Sequence, residues 1–219
     1  MATTLESLKQ KLLSAELGDR MRVMGEARAL SIPERFQLAC LAKNDPNARI
    51  RYEAISQLSS LGQEDLSASL EILRDRLLND PETDVRAAAA DSIGALKLTA
   101  AFADLISAYQ ASNEWLMQFS VIAALGELGD PRGYQVLEVA LAHPEGLVRM
   151  AAIGALGELG DPRAVDLLIP LAQHPDWDVR HRVVQALAQL GGDRALSSLQ
   201  ELAKDQAPQV ADAAKSYIT

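Results

Sequence analysis

Aromatic side chains are scarce in this chain, 4% of 219 residues. Strands draw on aromatic and β-branched residues, so the scarcity argues against a sheet protein. One cysteine, Cys40, leaves no internal disulfide and fits a reducing compartment. Its neighbours Leu38, Ala39 and Leu41 predict a small thiol buried in a helix. Basic residues are outnumbered: Lys and Arg total 21 against 30 Asp and Glu, for a net charge of −9. Without a Lys/Arg cluster there is nothing to replace counterions along a phosphate backbone, which excludes nucleic acid as a partner. No apolar run approaches the roughly 20 residues that a bilayer span needs, which excludes integral membrane association. The opening stretch Met1–Ser7 lacks the basic and apolar regions of a secretory signal, and the expectation is a cytoplasmic protein. Three histidines, none paired with a glutamate in a metal-ligand pattern, make no metal site. No acid–base pair or nucleophile can be nominated, so no catalytic residue is expected.

What is present is alanine, leucine and self-similarity. Hydrophobic residues reach 48%, enough for a continuous core, and the Ala/Leu bias favours close-packed helices. The octapeptide LGELGDPR at Leu125–Arg132 recurs unchanged at Leu156–Arg163, and a weaker copy, LAQLGGDR, follows at Leu187–Arg194, each offset by 31 residues. Eight residues ahead of these leucines lie Met117, Val148 and Val179. The same register reaches back to Val85 and Ile50 and forward to Val210. These six residues are the anchors of the repeat.

Counting from Val148, apolar residues at +4, +5, +8 and +11 (Ala152, Ile153, Leu156 and Leu159) form the buried stripe of a helix. Pro144 and Pro175 stand ahead of such helices, and Gly129-Asp130-Pro131 and Gly160-Asp161-Pro162 end them, as a left-handed glycine cap followed by proline should. A further helical stripe, Val165, Leu167, Leu168 and Leu171, comes next. One helical hairpin cannot bury its own apolar faces, so neighbours must stack. The expectation is an all-α, HEAT-like solenoid of about six hairpins forming a single domain over 1–219. Residues 1–32 match the repeat poorly and read as an atypical N-terminal cap, with repeats over 33–219.

The non-core face of the second helices carries the candidate site. At +2 the successive repeats present Tyr52, Ala87, Phe119, Met150 and His181, an unusually large and apolar series for a solvated face. Glu53 and Arg182 stand at +3, Asp91 at +6, and Trp115 and Trp177 at −2. The bland alternative is that Phe119 and Met150 pack between hairpins. Arg51, Arg86, Arg149 and Arg180, at +1, read as a structural ladder paired with nearby acids such as Asp84 and Asp178. His143 and His174, where other repeats have Asp45 and Asp80, read as turn residues.

The period of 31, together with less regular segments, resembles a known family. NARIRY at Asn47–Tyr52, ILRDRLLN at Ile72–Asn79, GALKLT at Gly94–Thr99 and RHRVVQAL at Arg180–Leu187 are similar to the HEAT-like repeat proteins of the cyanobacterial antenna, the phycobilin lyases and the NblB-type phycobilisome degradation proteins. The resemblance implies a cytosolic protein that engages phycobiliprotein subunits of the phycobilisome, as a non-enzymatic adaptor in phycobilisome degradation or turnover. It also implies an alternative, a bilin lyase or bilin-handling chaperone, in which Asp91 or Glu53 steadies the pyrrole nitrogens. No cofactor is expected, a bilin being the one ligand the resemblance admits. A general protein–protein scaffold with no antenna link is a third reading.

Overall fold

The computed structural model describes residues 4–218. Met1–Thr3 of the expected cap, and Thr219 of the last repeat, lie outside the described residues. Among the described residues there is no strand. Helices follow one another as seven pairs: α1 (Leu5–Leu12) and α2 (Leu17–Glu26), α3 (Ile32–Ala42) and α4 (Ala48–Leu61), α5 (Leu66–Asn79) and α6 (Thr83–Ala95), α7 (Phe102–Ala111) and α8 (Trp115–Leu128), α9 (Tyr134–Ala140) and α10 (Gly146–Leu159), α11 (Ala164–Leu168) and α12 (Trp177–Leu190), α13 (Asp193–Leu202) and α14 (Pro208–Ile218). The fold is an α-solenoid of helical hairpins. Packing divides the chain into two compact units, Met1–Val121 and Ile122–Thr219.

The stripe predicted for the second helices is the core. At +4, +5 and +8, Ala54, Ile55 and Leu58 of α4, Ala89, Ala90 and Ile93 of α6, Ala152, Ile153 and Leu156 of α10 and Val183, Val184 and Leu187 of α12 are all buried. At +11, Leu61, Leu96 and Leu128 are buried while Leu159 is half-buried. In the first unit α2 packs on α4, α4 on α6 and α5 on α7, and in the second α10 packs on α12 and α12 on α14. Helices approach closely where a side chain is missing. A Cβ at Gly157 would stand 2.7 Å from Ala186 Cα, and one at Gly126 only 2.5 Å from Ala155 Cα. Gly129 and Gly160, at φ +67° and +71°, take the left-handed conformation expected of the caps. Pro170 lacks an N–H, and α11 passes there into a 3₁₀ turn over Ile169–Gln173.

The α1–α2 pair carries the same register as the later repeats, which the sequence reading passed over. Thirty-one residues before Ile50 stands Asp19, and Val23, Met24 and Ala27, at +4, +5 and +8 from it, are buried. The hairpin is hidden in the sequence because its anchor is polar.

One turn device recurs through the chain. Five residues before each anchor, Ser14, Asp45, Asp80, Ser112, His143, His174 or Asp205 accepts a hydrogen bond from the backbone N–H two residues on. This bears out His143 and His174 as turn residues, each accepting through Nδ1 at 3.0 and 3.1 Å. The arginine at +1 donates Nη1 back to the carbonyl of that same turn residue, as Arg51 does to Asp45, Arg149 to His143 and Arg180 to His174. Where the next turn carries an aspartate, the remaining two donors cross to it. Arg51 Nε and Nη2 bind Asp80 at 2.8 and 2.8 Å, Arg180 binds Asp205 at 2.7 and 2.8 Å, and Arg20 Nε binds Asp45 at 2.9 Å. The expected acids Asp84 and Asp178 are therefore corrected to Asp80 and Asp205, because the fork reaches forward across a hairpin and not along its own helix. Cys40 is corrected too: it is half-buried in α3, and burial pushes its thiol pKa up, with the Lys43 charge opposing.

Candidate partner-binding groove

In the first unit the outward face of the second helices holds a groove of about 550 Å³. Its origin is visible in the register. Tyr52 stands at +2 on α4 and Phe119 at +2 on α8, but the intervening α6 has Ala87 there. The alanine leaves a notch. Ala87 and Ala88, both 4% exposed, form its floor with Val85. Tyr52, with Ala48 and Arg49, forms the α4 wall, and Leu116 and Ser120 form the α8 wall. Glu82, Asp84 and Asp91 complete the lining.

Asn47 caps α4 through the Arg49 amide at 3.0 Å, so the helix starts where it must to present Tyr52 one turn later. Tyr52 is 40% exposed although its neighbours Arg51 and Ala54 are buried, which aims the ring outward. Arg49 is turned along its own helix, its Nε 3.1 Å from Glu53 Oε1. The predicted Glu53 is thus committed to an ion pair, whereas Asp91 lines the groove.

The predicted residues do not all converge. In the first unit Tyr52 and Asp91 share the groove. Trp115, 48% exposed, and the half-buried Phe119 are sequence neighbours of the lining residues Leu116 and Ser120 without lining it themselves. In the second unit Met150 and His181 are half-buried, Trp177 is 41% exposed, and Arg182 lies over Gly154 and donates to Gln185 Oε1 at 3.3 Å. Half-burial of Phe119 and Met150 matches packing between hairpins as well as display. Sequence reasoning missed Glu82, Asp84 and Ala88 as groove residues. It placed Ala87 in the +2 series without assigning it a role, when its missing side chain is the feature. The strip also starts one repeat earlier, at Met21, which occupies +2 of α2 and is 37% exposed.

Chemically the groove is suited to binding. It offers an apolar floor, one phenol, one hydroxyl and carboxylates, and among the described residues no group of three or more His, Cys, Asp or Glu could hold a metal ion. No helix of the described residues is long and apolar enough to cross a membrane.

Stacked helical hairpins with a groove on the second-helix face define a repeat protein of the α-solenoid class. The HEAT repeats family matches residues 70–146 and 136–218, and the chain belongs to it. No curated protein matches the chain in sequence. Among solved structures it is similar to the complex of CpcE and CpcF of phycocyanin lyase from Nostoc sp. PCC7120, with 22% identity over 100% of this chain and 94% of that chain and a TM-score of 0.65. It is also similar to the archaeal HEAT-like repeats protein from Thermococcus onnurineus NA1, with 16% identity, full coverage of both chains and a TM-score of 0.57.

Proposed function

We propose that the chain is a non-enzymatic adaptor that engages phycobiliprotein subunits, serving phycobilisome degradation or turnover in the cytoplasm as one solenoid domain without a bound cofactor. The observation that carries this reading is the Ala87 groove, an open, apolar-floored notch beside the exposed Tyr52. Protein hot spots are built in this way, from an aromatic anchor next to a pocket that a partner side chain can fill. The antenna as the source of the partner rests on the resemblance of the irregular segments, and the likeness of fold to a phycocyanin lyase agrees with it.

Handling of free bilin is the second reading. What favours it is Asp91 in a groove whose volume lies within the roughly 300–1,000 Å³ usual for small-molecule sites. Glu53 no longer supports it, being tied to Arg49.

Titration of the purified protein with intact phycobiliprotein, and separately with free bilin, tests the two. The adaptor reading expects binding to phycobiliprotein, weakened about tenfold or more by Tyr52→Ala or by Ala87→Phe, which fills the notch. Tight binding of free bilin with a changed absorbance spectrum, and none of phycobiliprotein, transfers the groove to the chromophore. Binding of neither by the wild type overturns both.

A further inference from the structure

We propose that the Ala87 groove is a socket for a single lysine or arginine side chain presented by the partner. The inference rests on the groove being the partner-binding site, and adds what enters it. Shape and charge both select this occupant. The floor of Ala87, Ala88 and Val85 is apolar and buried, a bed for a methylene stem, while the carboxylates stand around the groove's lining where a head group would emerge. Lys and Arg are the side chains that combine an apolar stem with a cationic end.

Part of this charge is unpaired. Glu82, Asp84 and Asp91 line the groove, and among the described residues the Glu82 and Asp84 carboxylates have no hydrogen-bond or ion-pair partner. Arg49, the one cation in the lining, is bridged to Glu53. Tyr52 adds an exposed ring, whose face attracts a cation. The contrasting groove around His174 and Pro175 shows what a balanced surface looks like: its Arg180 is paired with Asp205 and its Lys204 with Glu201. An anionic or purely apolar occupant would leave the Glu82 and Asp84 charges unanswered.

The test uses three probes of one length, n-hexylammonium, n-hexanol and hexanoate, titrated into the full-length ¹⁵N-labelled protein and followed by amide shifts of Ala87, Ala88 and Ser120. Hexylammonium is expected to bind roughly fivefold tighter than hexanol, the size of one partly exposed ion pair with a cation–π contact, and hexanoate weaker than either. Ala87→Phe removes all three responses. Because Phe stands at the same register position in α8, helical circular dichroism should be unchanged in this variant. A Glu82→Gln/Asp84→Asn double variant keeps the floor and lowers hexylammonium to the hexanol level. Hexanoate binding as tightly as hexylammonium, or a preference that survives the double variant, overturns the socket. Phycobiliprotein binding lost in Ala87→Phe but untouched by Glu82→Gln/Asp84→Asn also overturns it while leaving the adaptor standing. A hexylammonium preference in a protein that binds no phycobiliprotein keeps the socket and removes the adaptor.

Discussion

Two junctions in the second unit differ by one residue. Between α12 and the hairpin after it, Arg180 grips Asp205 through two donors, and both side chains are nearly buried. One repeat earlier Arg149 holds the same pose toward its own turn, Nη1 to the carbonyls of His143 and Pro144, but the next turn offers His174 in place of an acid. Among the described residues nothing accepts from Arg149 Nε or Nη2, and the side chain is exposed. The first unit repeats the contrast. Arg51 is closed by Asp80, while Arg86, with Ser112 in the following turn, donates to Thr83 of its own helix and leaves Nε buried without an acceptor. The turn residue thus has two separable jobs. Asp, Ser and His all accept the amide that shapes the turn, and Asp45, Asp80 and Asp205 also staple their hairpin to the arginine of the one before.

The comparison breaks hardest at Asp80. Asp80→Asn keeps an oxygen for the Glu82 amide, so the turn survives, but it leaves Arg51 buried opposite a neutral amide. The expected cost is about 3–5 kcal/mol in urea unfolding, the usual result of uncoupling a buried pair. Ser112→Ala, which removes only the turn acceptor, should cost about 1 kcal/mol. If the two cost the same, the staple contributes nothing beyond the turn.

Acid should act through the same groups. Burial pushes the Asp80 carboxyl up, but the Arg51 hydrogen bonds, the Glu82 amide and the Arg51 and Arg76 charges outweigh it and hold the pKa below the ordinary value. The Arg180 hydrogen bonds, against burial, likewise hold Asp205 low, with help from the Ala207 amide and the Arg180 charge. A carboxyl lowered in the folded state contributes its full stability above its unfolded pKa of about 3.9 and loses it as pH falls through the folded value. Unfolding free energy should therefore drop below about pH 4, and the Asp80→Asn/Asp205→Asn variant, already destabilised at neutral pH, should show a flatter acid limb in denaturant melts.

At the arginines the difference should be intermediate. Arg180→Ala removes two charge-assisted bonds to Asp205 besides the two to its own turn, an expected loss of about 2–3 kcal/mol. Arg149→Ala removes only the bonds to its own turn, an expected loss of about 1 kcal/mol or less. Hydrogen exchange sharpens the point, since amides of α10 should open more readily than those of α12 if the staple limits local unfolding.

The repeat period, the glycine caps, the core stripe and the histidines as turn residues were all readable because each is a local pattern within one repeat. The staples were not, because Arg51 and Asp80 lie 29 residues apart while Asp84 and Asp178 look nearer in the text. The first hairpin was hidden by a single polar anchor, Asp19. Of the candidate site, Tyr52 and Asp91 were legible as an outward aromatic and an acid in register. The groove itself was not, since it is made by what Ala87 lacks, and a missing side chain becomes a cavity only when the helices on either side are placed.

The smallest effect is the most diagnostic. His174→Asp supplies Arg149 with the acid that Asp205 supplies to Arg180, at the same place in the turn. The backbone needs no adjustment, because Asp45, Asp80 and Asp205 already make the same amide bond there. The protein already carries a net charge of −9, so one more negative charge costs a little, and salt screens that cost. Arg149 is more exposed than Arg180, which lowers the return. The expected net gain is about 1 kcal/mol, and it should vanish when Arg149 is first changed to Ala, which a double-mutant cycle of thermal or urea melts measures directly. A gain that persists without Arg149 would mean that aspartate merely makes a better turn, and the two jobs of this position would not be separable after all.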